Sequence, residues 1–73
     1  NRLQNRLRDD FLTRTIGEKT GRINFSEVEG FLCLWGWAKK QPWWGDFFKN
    51  HSFLIERWDR EAFVNAIYRL LEK

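Results

Sequence analysis

An aromatic-rich stretch from Phe31 to Phe48 most constrains what this chain of 73 residues can fold into. It holds seven of the thirteen aromatic side chains and four of the five tryptophans. Each buried ring removes about 150–250 Å² of surface from water, which is a large hydrophobic contribution for so short a chain. We therefore expect one small domain, spanning residues 1–73, whose core is built from these rings.

Four segments show the apolar spacing of amphipathic helices. The first spans residues 1–15, the second 27–40 and the third 42–52, and the fourth follows an N-cap at Asp59. Short breaks separate them. This pattern predicts an all-α fold, a compact four-helix domain of two helix-loop-helix units, with a short extended segment near residues 22–24.

Ser26 is predicted to cap the second helix. Glu29 follows three residues later, and a serine with a glutamate at this spacing forms a capping box, in which each side chain accepts a backbone N–H of the first turn. At about 100° per residue, this helix has apolar side chains on two faces. One face contributes to the predicted core: Leu7, Phe11, Val28, Phe31, Leu32, Trp35, Trp43, Phe47, Phe63, Ile67 and Leu70.

The opposite face of the second helix combines small residues with a large ring. A helix that is apolar on two faces is buried or lies at an interface. Small side chains would let another helix approach closely. We therefore predict that this face binds a partner, either another protein or the rest of a longer parent chain, through Gly30, Cys33, Leu34 and Trp37.

The net charge of +3 is unevenly distributed. Residues 1–22 carry six basic and three acidic side chains, and the remainder is balanced. In addition, a pair of lysines lies between tryptophans at residues 37–44. Rings that stack on bases and cations that contact phosphates are typical of single-stranded nucleic-acid binding. The predicted contacts are Arg2, Arg6, Arg8, Arg14, Arg22, Lys39, Lys40, Trp37 and Trp44.

Chemical motifs are absent from the sequence. There is one cysteine and one histidine, no glycine-rich phosphate loop, and no carboxylate pair spaced to converge on one atom. We predict a protein that is not an enzyme and has no cofactor and no metal. A single cysteine allows no internal disulfide, and no apolar run approaches the roughly 20 residues that span a bilayer. These features predict an intracellular, cytoplasmic chain without a membrane partner, and the initial Asn1 suggests a piece of a longer protein.

Residues 21–28 resemble the second half of an EF-hand calcium loop. Gly21 stands at the position of the sharp turn, Ile23 follows two residues later, and Glu27 precedes the apolar start of the exit helix. A fainter match begins at Trp58. The resemblance implies paired helix-loop-helix units, but Ile16 at the first ligand position has no side-chain oxygen, so calcium binding is not expected.

Three function classes remain open. The first is an accessory domain that binds single-stranded nucleic acid in a replication, transposition or mobile-element protein. The second is a protein-interaction module that binds through an apolar helix face. The third is a degenerate EF-hand-type regulatory pair without calcium. Because the basic excess and the lysine pair both suit the first class, we place it first.

Overall fold

The computed structural model describes residues 2–17 and 23–72, with side chains from residue 5 onward. This part of the chain contains four helices: α1 (Arg2–Ile16), α2 (Val28–Ala38), α3 (Trp44–Glu56) and α4 (Arg60–Glu72). It contains no strand, so the predicted all-α, four-helix fold is confirmed. Ile23 and Asn24 have irregular backbone, and the other residue of the expected extended segment lies outside the described part.

Helix α4 is the common packing partner, since it contacts each of the other three helices. Its buried side is formed by Phe63, Val64 and Ile67. The radius of gyration is 11.5 Å, close to the roughly 11 Å expected for a compact domain of this length. The helices are therefore arranged around the last one.

Phe63 lies at the centre of the aromatic core. Its ring centroid is 5.0 Å from that of Phe31, 5.5 Å from Trp35 and 5.6 Å from Phe47. A fourth contact, at 6.2 Å, is with Trp44. These separations are within the range in which aromatic pairs attract beyond their burial. The predicted aromatic core thus exists, and its central ring comes from α4.

Helix α2 is rotated relative to the prediction. Its buried residues are Gly30, Phe31, Leu34 and Ala38, whereas Val28 and Leu32 are about half exposed. The reason is the backbone that precedes the helix. A Cβ atom at Gly30 would overlap the carbonyl oxygen of Asn24, so the incoming chain lies directly on this glycine. The face predicted to bind a partner is therefore covered at Gly30 and Leu34 by the chain itself.

The predicted core is partly right. Phe31, Phe47, Phe63 and Ile67 are buried, and Trp35, Trp43 and Leu70 pack against them. The prediction was wrong for Leu7, Phe11, Val28 and Leu32, which are exposed. Buried apolar residues that were not among the predicted core are Leu12, Phe25, Leu34, Ala38, Leu54 and Val64.

The predicted capping box does not form. The Ser26 hydroxyl and backbone N–H both donate to the Asn24 side-chain oxygen, at 2.6 and 3.1 Å. An asparagine that bonds the backbone two residues ahead makes a turn that competes with helix formation. Helix α2 consequently begins at Val28, with Glu27 at the N-cap and no side-chain cap.

The predicted cap of α4 is confirmed, because the Ala62 N–H donates to the Asp59 carboxylate at 3.2 Å.

Helix α3 continues through its predicted end. His51 has non-helical dihedral angles (φ −124°, ψ 23°), and the helix kinks there but extends to Glu56. The His51 ring stacks on Phe47 at 4.3 Å, and its Nδ1 donates to the Phe47 carbonyl at 3.0 Å. Leu54 in the second half is buried. Residues 53–56, which the sequence placed beyond the third helix, therefore form a helical turn that contributes to the core.

Two helices end in the left-handed conformation, with different residues in that position. Helix α1 is followed by Gly17 (φ 85°), and glycine is the residue that adopts this conformation most readily. After α3, the corresponding residue is Trp58 (φ 56°). The Trp58 N–H donates to the Ile55 carbonyl and the Asp59 N–H to the Leu54 carbonyl, at 3.1 and 3.0 Å. This is the bond pattern of a Schellman motif, in which glycine is usual.

Candidate functional site

Four large apolar side chains on α2, α3 and the turn after α3 are about half exposed, and Phe53 on α3 is exposed as well. Val28, Leu32, Phe48 and Trp58 each leave between 41% and 49% of their surface accessible. Scattered exposed apolar residues are normal on a folded protein, and only a contiguous group suggests a binding site. These four side chains therefore suggest a binding site only if they lie next to one another.

Half-buried tryptophans join these side chains into one surface. Trp35 lies 6.1 Å from Trp58 on one side and 5.3 Å from Trp44 on the other. Trp44 is in turn 5.7 Å from Phe48. Along α2, Val28, Leu32 and Trp35 succeed one another at intervals of four and three residues, so they share one helix face. We call these six residues the aromatic surface: Val28, Leu32, Trp35, Trp44, Phe48 and Trp58.

The size of the aromatic surface is in the range of known interaction sites. A large apolar side chain has an area of about 200 Å², so the four half-exposed members present on the order of 400 Å². The largest apolar patch on a typical monomer is about 300–600 Å² and is often functional. The area fits a small contact with another chain.

The backbone of Trp58, a member of the aromatic surface, is strained. The left-handed conformation costs a residue with a Cβ about 1–2 kcal/mol, and a bulky residue with positive φ is a true outlier. Its indole still packs 4.9 Å from Phe31 while leaving nearly half its area exposed. Strained residues of this kind are concentrated at functional sites. The sequence did not predict this backbone conformation or a binding role for Trp58, because both depend on where α3 ends.

The face predicted to bind a partner lies largely inside the fold. Gly30 and Leu34 are buried, and Cys33 and Trp37 are only partly accessible. Trp37 packs against Trp43 at 5.9 Å. Val28 and Leu32, which were predicted to be core, are the exposed apolar side chains of α2. Partner binding through the predicted face stays a prediction.

Arg8 is the main departure from the predicted basic surface. Its side chain is buried, with Nη1 donating to Glu61 at 2.8 Å and to Asn65 at 2.7 Å. Nε donates to Asp9 at 3.1 Å. Arg8 therefore links α1 to α4 and is not exposed to a phosphate backbone. An ion pair neutralises one positive and one negative charge together. Residues 1–22 therefore keep their net charge of +3.

The remaining basic residues are spread over the fold. Arg6 and Arg14 are exposed on α1, and Lys39 and Lys40 are exposed just after α2. The side chain of Arg2 and all of Arg22 lie outside the described residues. Trp44 is partly accessible, and its ring contacts Trp35, Phe47, Phe48 and Phe63. The lysine pair and Trp37 are the part of the predicted nucleic-acid site that stays together.

Burial affects the chemistry of Asp9. Burial raises the pKa of its carboxyl above the usual value of 3.8, although the charge and the hydrogen bond of Arg8 act in the opposite direction.

A groove of about 560 Å³ lies beside this cluster, between α1 and α4, with Glu61, Asn65 and Tyr68 among its lining residues. Within it, the Arg8 guanidinium donates to the Glu61 carboxylate and to the Asn65 side-chain oxygen.

Other kinds of site are not found in the described part of the chain. It holds no group of three or more histidine, cysteine, aspartate or glutamate side chains placed to bind a metal ion. None of its helices combines the length and the apolar character needed to cross a membrane. Comparisons of the chain with protein-family models, curated proteins and solved structures find no match. Function is accordingly inferred from geometry.

Proposed function

We propose that this domain is a protein-interaction module that binds a short apolar segment of another chain through the aromatic surface. The observation that carries the proposal is the continuity of that surface, from Phe48 through Trp44 and Trp35 to Trp58. Tryptophan is the residue most enriched among side chains that dominate binding energy. Burying this surface against a partner would remove its apolar area from water.

The scale of the surface favours a weak, reversible complex. Stable interfaces bury about 800 Å² on each partner, roughly twice what the half-exposed side chains provide. A short segment needs less area. The domain would then recognise a segment of a larger protein and release it readily.

The test uses Leu32→Glu, which places a charge at the centre of the aromatic surface. Peptides selected on the wild-type domain from a display library are titrated against it, and tryptophan fluorescence is followed because three members of the surface are indoles. We expect Leu32→Glu to weaken binding at least about tenfold, since a charge at an interface core is desolvated without a partner.

Leu7→Glu is the matched control. Leu7 is also half exposed, but it lies on α1, away from the aromatic surface. This variant should bind the selected peptides as the wild type does. If the peptides bind wild type and Leu32→Glu equally, the proposal is wrong.

A second proposal is that the domain binds single-stranded nucleic acid. It is supported by the exposure of Lys39 and Lys40 next to the half-buried Trp37. Such a site would hold phosphates with the lysines while the indole stacks on a base. The buried position of Arg8 reduces the number of basic groups available to phosphates, which is why protein interaction comes first.

Salt dependence tests this second function. A single-stranded oligonucleotide is titrated at low and moderate salt, and its affinity should fall steeply because phosphate contacts release counterions. Lys39→Ala/Lys40→Ala should weaken binding and reduce the salt dependence. Arg69→Ala, which removes an exposed cation from α4, is the control. Binding that is insensitive to salt and to the lysine variant would contradict the proposal.

A further inference from the structure

We infer that the segment bound by the aromatic surface is a single amphipathic helix that lies along α2 and contacts the indole of Trp58. This inference rests on the proposed function and specifies its partner. It depends on three features: the spacing of the exposed side chains on α2, the backbone conformation of Trp58, and the area of the surface.

The spacing on α2 is that of a helix-packing ridge. Val28, Leu32 and Trp35 recur every three or four residues, as do the buried residues Phe31 and Leu34 on the neighbouring face. Side chains at these intervals form the ridges onto which another helix packs. The buried stripe is occupied by α4. The exposed stripe has the same spacing. Phe63 of α4 and Trp44 of α3 contact it at Trp35, whereas Val28 and Leu32 remain about half exposed.

An extended partner suits this surface less well. Extended peptides usually bind by adding a strand to an exposed sheet edge, where main-chain hydrogen bonds supply the affinity. The described residues form no strand, so no such edge is present there. A helix satisfies its own backbone hydrogen bonds and needs only apolar side-chain contacts.

Trp58 forms one side of this ridge. Its indole lies 4.9 Å from Phe31 and 6.1 Å from Trp35, and nearly half of it remains accessible. A glycine at this position would adopt the left-handed conformation without strain, as Gly17 does after α1. The strained backbone therefore presents an aromatic side chain at the edge of an apolar ridge, which is the position of an anchor for a bound helix.

The area argues against a second copy of the chain as the occupant. Two copies meeting through the aromatic surface would together bury on the order of 800 Å² of side chain, below the roughly 1,200–2,000 Å² of stable interfaces. A single helix with two or three anchoring side chains matches the smaller area.

The experiment compares two display libraries on the immobilised chain. One randomises the exposed face of a stable helical scaffold, and the other presents unconstrained linear peptides. Both are counter-selected on Leu32→Glu. We expect helical binders to be enriched and to lose roughly thirtyfold or more of their affinity with Trp58→Gly. Glycine favours this backbone conformation, so Trp58→Gly should stay folded, which near-ultraviolet circular dichroism would verify.

The outcomes separate this inference from the proposed function. Helical binders that require Trp58 but tolerate Leu7→Glu support both. Linear peptides that bind best and still require Leu32 overturn the helical partner while the proposed function stands. Concentration-dependent dimers abolished by Leu32→Glu in ultracentrifugation also overturn the helical partner. If neither library yields binders sensitive to Leu32→Glu, both ideas fail.

Discussion

At the scale of single residues, Arg8 shows how burial changes the role of a charged side chain. Arginines at residues 2, 6, 8 and 14 suggested a basic helix surface, yet Arg8 lies inside, bonded to Asp9, Glu61 and Asn65. An arginine can pack its aliphatic stem among apolar groups while its guanidinium makes several fixed hydrogen bonds. Removing it would leave the Asp9 carboxylate without its countercharge, so Arg8 contributes to the docking of α1.

The neighbouring Asp9 makes stability depend on pH. Burial raises its pKa in the folded chain above 3.8, so between that value and the folded pKa the folded state binds more protons than the unfolded state. The contribution of Asp9 to stability is therefore full below the usual pKa and is lost as pH rises through the folded pKa. Asp9→Asn lacks this titration, so its stability relative to wild type should improve between about pH 3 and pH 7.

Denaturant unfolding of both proteins at the two pH values measures this change. Carbon-13 NMR of the Asp9 carboxyl gives an independent midpoint, expected above that of an aspartate in an unstructured peptide. A midpoint below that of the peptide would show that the Arg8 charge outweighs burial.

At the scale of elements, α2 shows what a sequence pattern leaves open. Helices with one apolar stripe are predicted well, and the bounds of α1 and the start of α4 agree with expectation within one residue. In α2, apolar side chains surround the axis, so periodicity could not choose the buried side. The choice depends on the Asn24 turn resting on Gly30, a contact between backbone atoms that side-chain patterns do not encode.

Two glycines of α2 provide a matched test of this contact. Gly30→Ala should lower the free energy of unfolding by about 1–3 kcal/mol, because the new Cβ would force the Asn24 carbonyl away. Gly36→Ala should raise it by about 0.5–1 kcal/mol, because nothing lies within 4 Å and alanine favours the helix. Urea unfolding measures both. Equal effects from the two variants would mean that the turn does not contact Gly30.

The candidate site also depends on tertiary contacts that the sequence pattern does not encode. The sequence indicated a second apolar face on α2, but Val28 and Leu32 were assigned to the core. It could not indicate that Trp58 would take a left-handed conformation beside Trp35, since that requires knowing that α3 continues past His51 to Glu56. Side chains from three elements meet at this surface, and only tertiary packing brings them together.

At the scale of the whole molecule, one ring connects the elements. Phe63 on α4 contacts rings from α2 and α3, including Phe31 and Phe47. Total stability for a chain of this size is on the order of 4–11 kcal/mol, so the contacts of a single central residue amount to a large share of it.

Phe63→Ala should therefore cost about 3–5 kcal/mol, which is enough to unfold a large fraction of the protein. Near-ultraviolet circular dichroism should lose the signal of the packed tryptophans. Phe53→Ala is the control, because Phe53 is exposed and its loss should change stability by no more than about 0.5 kcal/mol. A Phe63→Ala variant with the wild-type unfolding midpoint would show that the core is not centred on this ring.

The central role of α4 also matters while the chain is being made. Its thirteen residues are the last of the four helices to be synthesised, which takes about one to three seconds at typical ribosomal rates. Until then, the rings of α2 and α3 have no Phe63 to pack against. Unpacked apolar segments on a nascent chain are prone to aggregate and are the substrates of chaperones. A core that needs the last of the four described helices thus cannot be completed before α4 has been translated.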